Sequence, residues 1–109
     1  MVLAKRHKVF IRHQNEWVTM GIVNVRLFAN LREIVGHPSL SIKASSMRQV
    51  LAMLQTEYPA LRSALCDDGE VRSYITILVN GKDIRELEAL STSLTDGDEV
   101  AIFPPVSGG

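Results

Sequence analysis

One stretch of this chain repeats apolar residues at helical spacing for long enough to demand a covering layer. Met47, Val50, Leu51, Leu54 and Tyr58 recur three and four residues apart, and Pro59 ends the run. A single amphipathic helix has one stripe to bury. The remaining apolar residues alternate, which is the period of a half-buried strand. Ile22–Phe28 places Val23, Val25 and Leu27 on one face and Asn24, Arg26 and Phe28 on the other. Leu40–Ala44 alternates as well; Tyr74–Val79 sets Ile75, Ile77 and Val79 in one phase, and Glu99–Phe103 sets Val100 and Ile102 inward. One long helix among several such strands predicts an α+β fold, a mixed four- to five-stranded sheet wrapped on one main helix.

Local signals place the ends of these elements. Ser46 and Gln49 have capping-box spacing, with a hydroxyl and a side-chain amide available to the unpaired amides of a helix start. The methionines of that helix are expected to fill the core. Leu31–Val35 fits a short helical turn closed by Gly36, with Pro38 barring continuation. Leu40–Ala44 is expected to pair with Ile22–Phe28 as a hairpin. Cys66–Glu70 reads as a polar loop, and Asn80-Gly81 supplies the positive φ angles of a tight hairpin turn. Ile84–Leu94 has enough leucine for a short return strand and a helical turn, and Thr95–Asp98 is a further turn. The predicted order is β-β-α-β-β-β.

The chain's 109 residues suit one domain. A lone cysteine, Cys66, fits a reducing, cytoplasmic setting. No apolar run has the length of a membrane span and no signal peptide is evident, so no membrane partner is expected. The net charge balances, yet residues 1–20 carry Lys5, Arg6, Lys8 and Arg12 against Glu16 alone. Those residues read as a basic, flexible, solvated extension, either a short extra strand or disordered, and Met20 is a candidate start. Four basic residues are too few to argue a specific nucleic-acid partner. Three segments result: the extension 1–20, a domain 21–103 and a tail 104–109. The free chain is expected to be a monomer.

Little in the domain carries chemistry. Asn80-Gly81-Lys82-Asp83 lacks the spacing and hydroxyl residue of a phosphate loop. His7, His13 and His37 are scattered without paired ligand spacing, so no metal site is expected. Cys66 has no neighbouring His or Lys to acidify it and reads as a spectator thiol. The unusual group is the terminus, Pro104-Pro105-Val106-Ser107-Gly108-Gly109. Two glycines remove both Cβ atoms, so the end of the chain can pass through a narrow tunnel. The paired prolines favour an extended backbone that holds the tail off the domain. The chain is thus predicted to bind no cofactor and to offer the carboxylate of Gly109 to a partner that supplies the nucleotide site.

Strand parity adds a surface. With Val23, Val25 and Leu27 inward, Phe28 faces out; with Val100 and Ile102 inward, so does Phe103. If the first and last strands are neighbours, the two rings form one apolar patch beside the tail, which Leu78 extends. Phe28, Leu78, Phe103 and the tail residues Pro104, Pro105, Val106 and Ser107 are the candidate partner-binding residues.

These residues resemble the ubiquitin-like β-grasp family, specifically the small archaeal modifier proteins and the small, sulfur-carrying subunit of molybdopterin synthase. The resemblance runs from Val23 to Gly109. It rests on Val25-Arg26-Leu27-Phe28-Ala29 with Leu31-Arg32-Glu33, on Val79-Asn80-Gly81, and most specifically on Asp96-Gly97-Asp98-Glu99-Val100 followed by Phe103 to Gly109. Tyr58-Pro59-Ala60-Leu61 and Asp67-Asp68-Gly69-Glu70 look closest to the archaeal modifiers. Residues 1–20 have no counterpart. The resemblance implies that an E1-like adenylating enzyme uses ATP and magnesium to activate the Gly109 carboxylate. The adenylate then passes to a target lysine as an isopeptide, or takes sulfur as a thiocarboxylate for molybdopterin or thiolated tRNA. The alternative is a dedicated sulfur carrier that inserts its tail into the large subunit of molybdopterin synthase. Lys43 and Lys82 are the candidate acceptors of conjugation on the chain itself.

Overall fold

The computed structural model describes the backbone of residues 9–13 and 16–105, and side chains from Gly21 to Pro105. The strands are β1 (Val9–His13), β2 (Glu16–Leu27), β3 (Ser39–Ala44), β4 (Cys66–Asp67), β5 (Glu70–Val71), β6 (Thr76–Val79), β7 (Lys82–Asp83) and β8 (Glu99–Phe103). The helices are α1 (Ala29–Val35), α2 (Met47–Glu57) and α3 (Ala60–Leu65), with short 3-10 turns at Ile84–Glu86 and Ala89–Ser91. The first and last strands of the domain are central and parallel, Val25 beside Val100 and Leu27 beside Ile102. β3 flanks β2 antiparallel on its other edge, β6 flanks β8 antiparallel, and β7 closes that side. The order β3-β2-β8-β6-β7 is a mixed sheet on one main helix, as the alternation predicted.

Inward residues of the central strands meet the stripe of α2. Val23, Val25, Val100 and Ile102 are each 0 % exposed, as are Met47 and Val50 from the helix. The start of α2 is capped as its spacing predicted in one direction only. Ser46 Oγ accepts from the Gln49 amide, whereas Gln49 Oε1 accepts from the amide and hydroxyl of Ser45, one residue earlier than a capping box. Gly36, at φ 88°, ends α1 in the left-handed conformation.

Several features depart from the sequence reading. Met53 is not core filler: it is 42 % exposed on the outer side of α2. Pro59 does more than stop α2; its φ of −54° starts α3, whose Leu61 and Leu65 are fully buried. The segment read as a polar loop folds as a two-residue hairpin, Cys66 opposite Val71, with Asp68 and Gly69 both at positive φ. Residues 1–20 read as a short extra strand or as disordered, and the part of them that is described is strand. β2 runs through Met20-Gly21, and β1 pairs with its first half, Val9 opposite Met20 and His13 opposite Glu16. Among the described residues no helix is long and apolar enough to cross a membrane.

Candidate functional site

The tail leaves the middle of the sheet. β8 ends at Phe103 because Pro104 and Pro105 have no N–H to continue the ladder. Pro104 is half-buried and Pro105 exposed. Val106, Ser107, Gly108 and Gly109 lie outside the described residues.

The opposite end of β8 is tied down by the residues between Asn80 and Glu99. Asp98 accepts from the Thr95 amide (2.8 Å) and from Asn80 Nδ2 (3.1 Å), Asn80 Oδ1 accepts from the Glu99 amide (3.0 Å), and Asn24 Nδ2 donates to Glu99 Oε2 (3.0 Å). Two of the segments that marked the resemblance, Val79–Gly81 and Asp96–Val100, therefore clamp the root of the strand that carries the tail.

Beside the exit, Phe28 and Phe103 stack with centroids 4.3 Å apart and planes 13° from parallel. Phe28 is the last residue before α1, with extended backbone (φ −122°, ψ 154°), so its ring stays on the outer face of β2. Leu78 lies on the same face opposite Ala101, and all three side chains are half-buried. Arg26, two residues before Phe28 and exposed, holds its guanidinium carbon 5.4 Å from the Phe28 centroid. Sequence reasoning placed Arg26 on this face but gave it no role. The result is an apolar strip with one cation, next to the point where the tail begins.

The remaining candidates are dispersed. Lys43 on β3 and Lys82 on β7 are exposed on opposite edges of the sheet, separated from β8 by β2 and by β6. Cys66 is partly buried beside Gln55, whose Nε2 lies 3.5 Å from Sγ. Burial pushes its thiol pKa up, against smaller lowering effects of Gln55 and Arg72. A raised pKa leaves less thiolate at neutral pH. Iodoacetamide at pH 7.5 is therefore expected to alkylate Cys66 more slowly than a cysteine in an unfolded peptide of the same sequence; equal rates would show a freely ionising thiol.

Truncating either ring should separate docking from stability. Phe28→Ala or Phe103→Ala is expected to weaken partner binding by about 2 kcal/mol, as loss of an interface aromatic does. Both rings are only half-buried, so stability should fall by less than the roughly 3–5 kcal/mol of a core Phe→Ala. Calorimetric titration beside thermal denaturation checks this; a core-sized stability loss with unchanged binding per folded molecule would make the pair structural.

Known proteins are similar to this chain in sequence and in fold. The ThiS family model matches residues 25–109. Small archaeal modifier protein 3 of Haloferax volcanii is 39% identical over 90 residues, covering 80% of this chain and 98% of that protein. Sulfur carrier protein CysO of Mycobacterium tuberculosis is 32% identical over 77 residues, 68% of this chain and 83% of the carrier. The solution structure of small archaeal modifier protein 1 from Methanosarcina acetivorans superposes with a TM-score of 0.76 at 44% identity, covering 83% of this chain and 98% of that one.

Proposed function

Because the chain belongs to the ThiS family, we propose that it is a ubiquitin-like protein modifier activated at the carboxylate of Gly109. The observation that carries this is the reach of the family match, which extends through the diglycine to the last residue. In this reading the chain is a substrate and not a catalyst, and an E1-like enzyme supplies ATP and magnesium.

The chemistry follows from what a carboxylate lacks. It is a poor electrophile, since its leaving group would be oxide. Attack of a Gly109 carboxylate oxygen on the α-phosphorus of ATP expels pyrophosphate and leaves an acyl-adenylate, whose AMP departs readily. A target lysine Nζ then attacks the carbonyl carbon, loses a proton and displaces AMP, giving the isopeptide. Gly108 and Gly109 keep the reacting carbonyl free of side chains, and the strip of Phe28, Leu78 and Phe103 docks the activating enzyme beside the exit.

The likeness to a sulfur carrier protein favours a second use of the same adenylate. Hydrosulfide in place of lysine attacks the same carbonyl carbon, loses its proton and displaces AMP, leaving a Gly109 thiocarboxylate, the form that a molybdopterin synthase small subunit would deliver. Mass spectrometry of cellular proteins, after cleavage of the tail, separates the two. Lysines bearing a remnant that ends in Gly109 support the modifier. Free chain carrying one sulfur in place of one oxygen, with no modified lysine anywhere, would overturn it in favour of the carrier.

A further inference from the structure

A cavity of about 420 Å³ opens between the β4–β5 hairpin and the 3-10 turns that follow β7, over the inner face of β6. That volume is in the range of small-molecule sites, about 300–1,000 Å³. Its apolar lining is aliphatic: Ile75, Ile77 and Ile84 are buried, and Val71 and Leu90 are half-buried beside them. Ile77 is on the inner face of β6 and Leu78 on the outer one. The cavity is therefore separate from the strip of Phe28, Leu78 and Phe103.

Three arginines, Arg48, Arg72 and Arg85, line the same cavity. Arg72 is half-buried and held by its Nε, which donates to the Ser63 carbonyl at 2.8 Å. Its ion-pair partner Asp67 stands 4.0 Å from Nη1, with the Asp67 side chain 75 % exposed. No hydrogen bond is made at that distance, so the terminal nitrogens of Arg72 are open to an anion. Arg85 is committed to Asp83, donating from Nε at 3.1 Å and from Nη2 at 2.9 Å, and is neutralised by it. Arg48, in the first turn of α2, has no ion-pair partner among the described residues. Two carboxylates, Glu70 and Glu88, complete the charged lining; both are exposed, and neither is ion-paired among the described residues. One anionic group is thus drawn by Arg72 and Arg48, and a second meets Glu70 and Glu88. The wall that carries Glu88 is strained. Ala89 holds a left-handed φ of 51° that its Cβ disfavours, and the buried Thr92 pins that turn, its Oγ1 accepting from the Glu88 amide at 3.1 Å. Backbone strain of this kind gathers at ligand sites.

We propose that this cavity binds a small molecule with an apolar body and a single carboxylate. The body lies against Ile75, Ile77, Ile84 and Leu90, and the carboxylate bonds to Arg72 and Arg48. Burial of the body supplies affinity, and the charge-assisted bonds to arginine fix the orientation. Glu70 and Glu88 select against a second negative charge. Occupancy leaves Phe28, Phe103 and the tail uncovered, so the site is independent of activation at Gly109.

The test is an NMR titration of the full-length ¹⁵N-labelled chain with hydrocinnamate, with its neutral amide, and with benzylmalonate, which is hydrocinnamate bearing a second carboxylate. Hydrocinnamate is expected to give saturable shifts at Val71, Ile75, Ile77, Ile84 and Leu90. The amide should bind more weakly by about fivefold or more, the difference between a charged and a neutral hydrogen bond. Benzylmalonate should also bind more weakly than hydrocinnamate. Arg72→Gln should bring hydrocinnamate down to the affinity of the amide and leave the amide unchanged; Arg48→Gln should do so in part. The comparison of ligands needs no altered protein, so it decides the matter even if a variant misfolds. No saturable shift, shifts centred on Phe28 and Phe103, an amide that binds as tightly as the acid, or a dianion that does so would each overturn the proposal. So would shifts of the cavity residues with the blocked peptide Asp-Phe-Asp and none with hydrocinnamate, which would make a partner protein the occupant.

Discussion

A chain lacking Gly108 and Gly109 is expected to melt like the full-length protein and to support no ATP–pyrophosphate exchange with its activating enzyme. The first half follows from where the packing ends. The last strand closes at Phe103 and Pro105 is already exposed, so the described ladder and core are complete before the two residues that the truncation removes. The second half is a matter of reach. The truncated chain still ends in a carboxylate, on Ser107, chemically equivalent to the one it lost. That carboxylate is about 7 Å short, at the 3.3–3.6 Å that an extended residue spans. It also carries a side chain beside the reacting carbon. Gly108→Ala separates the two effects, because it restores the length and adds one Cβ; intermediate exchange is expected. Undiminished exchange by the truncated chain would mean that the diglycine is incidental.

Gly21→Ala is expected to lower stability by about 3 kcal/mol, within the range of mutations that force strain into a packed site. A Cβ at Gly21 would overlap the amide nitrogen of Asp96 and sit 2.6 Å from its Cα, and those are backbone atoms that cannot swing aside. The contact is close because the Thr95–Asp98 turn is bonded onto β2: Asp96 Oδ1 accepts from the Ile22 amide at 2.8 Å, and the Gly97 amide donates to the Ile22 carbonyl at 2.9 Å. Relieving the clash lifts the turn and loses those bonds, each worth about 1 kcal/mol. A fall in Tm of roughly 10–20 °C follows for a domain of this size. Gly36→Ala is the control. Nothing lies within 4 Å of its added Cβ, so its cost is the positive φ alone, about 1–2 kcal/mol. Denaturant melts that rank Gly36→Ala as the more damaging would contradict the assignment of Gly21 as the point of closest backbone approach.

The periodic parts of this fold were legible because each of their residues reports its own environment. Val23, Val25 and Leu27 alternate since one face of β2 is buried, and the same parity set Phe28 and Phe103 on the outer face before their stacking was known. What stayed hidden depends on partners distant in sequence. Gly21 looks like any glycine after a methionine; the turn it abuts is 75 positions on. The segment Cys66–Glu70 contains the Asp-Gly pair of a tight hairpin, but its flanking residues are polar, so the pattern that normally announces strands was missing. Pro59 reads as an end because proline cannot sit inside a helix, although it is equally suited to begin one; Leu61 and Leu65, four apart, are the signal that a helix follows. Met53 shares a helix with buried Met47 but lies off the stripe of Met47, Val50, Leu51, Leu54 and Tyr58, and that spacing was the signal for its exposure. The tail could be read chemically but not placed, since glycine and proline fix what a backbone can do and say nothing of what will hold it.

Capture of the activated chain tests the central claim most directly. With the activating enzyme, ATP and magnesium, added hydroxylamine attacks an acyl-adenylate at its carbonyl carbon and displaces AMP, leaving a hydroxamate. Fragmentation of the recovered chain is predicted to place that hydroxamate on Gly109 and nowhere else, with none formed when ATP is omitted. A hydroxamate on an aspartate or glutamate side chain, or a C-terminus that stays a free carboxylate while ATP is consumed, would contradict it.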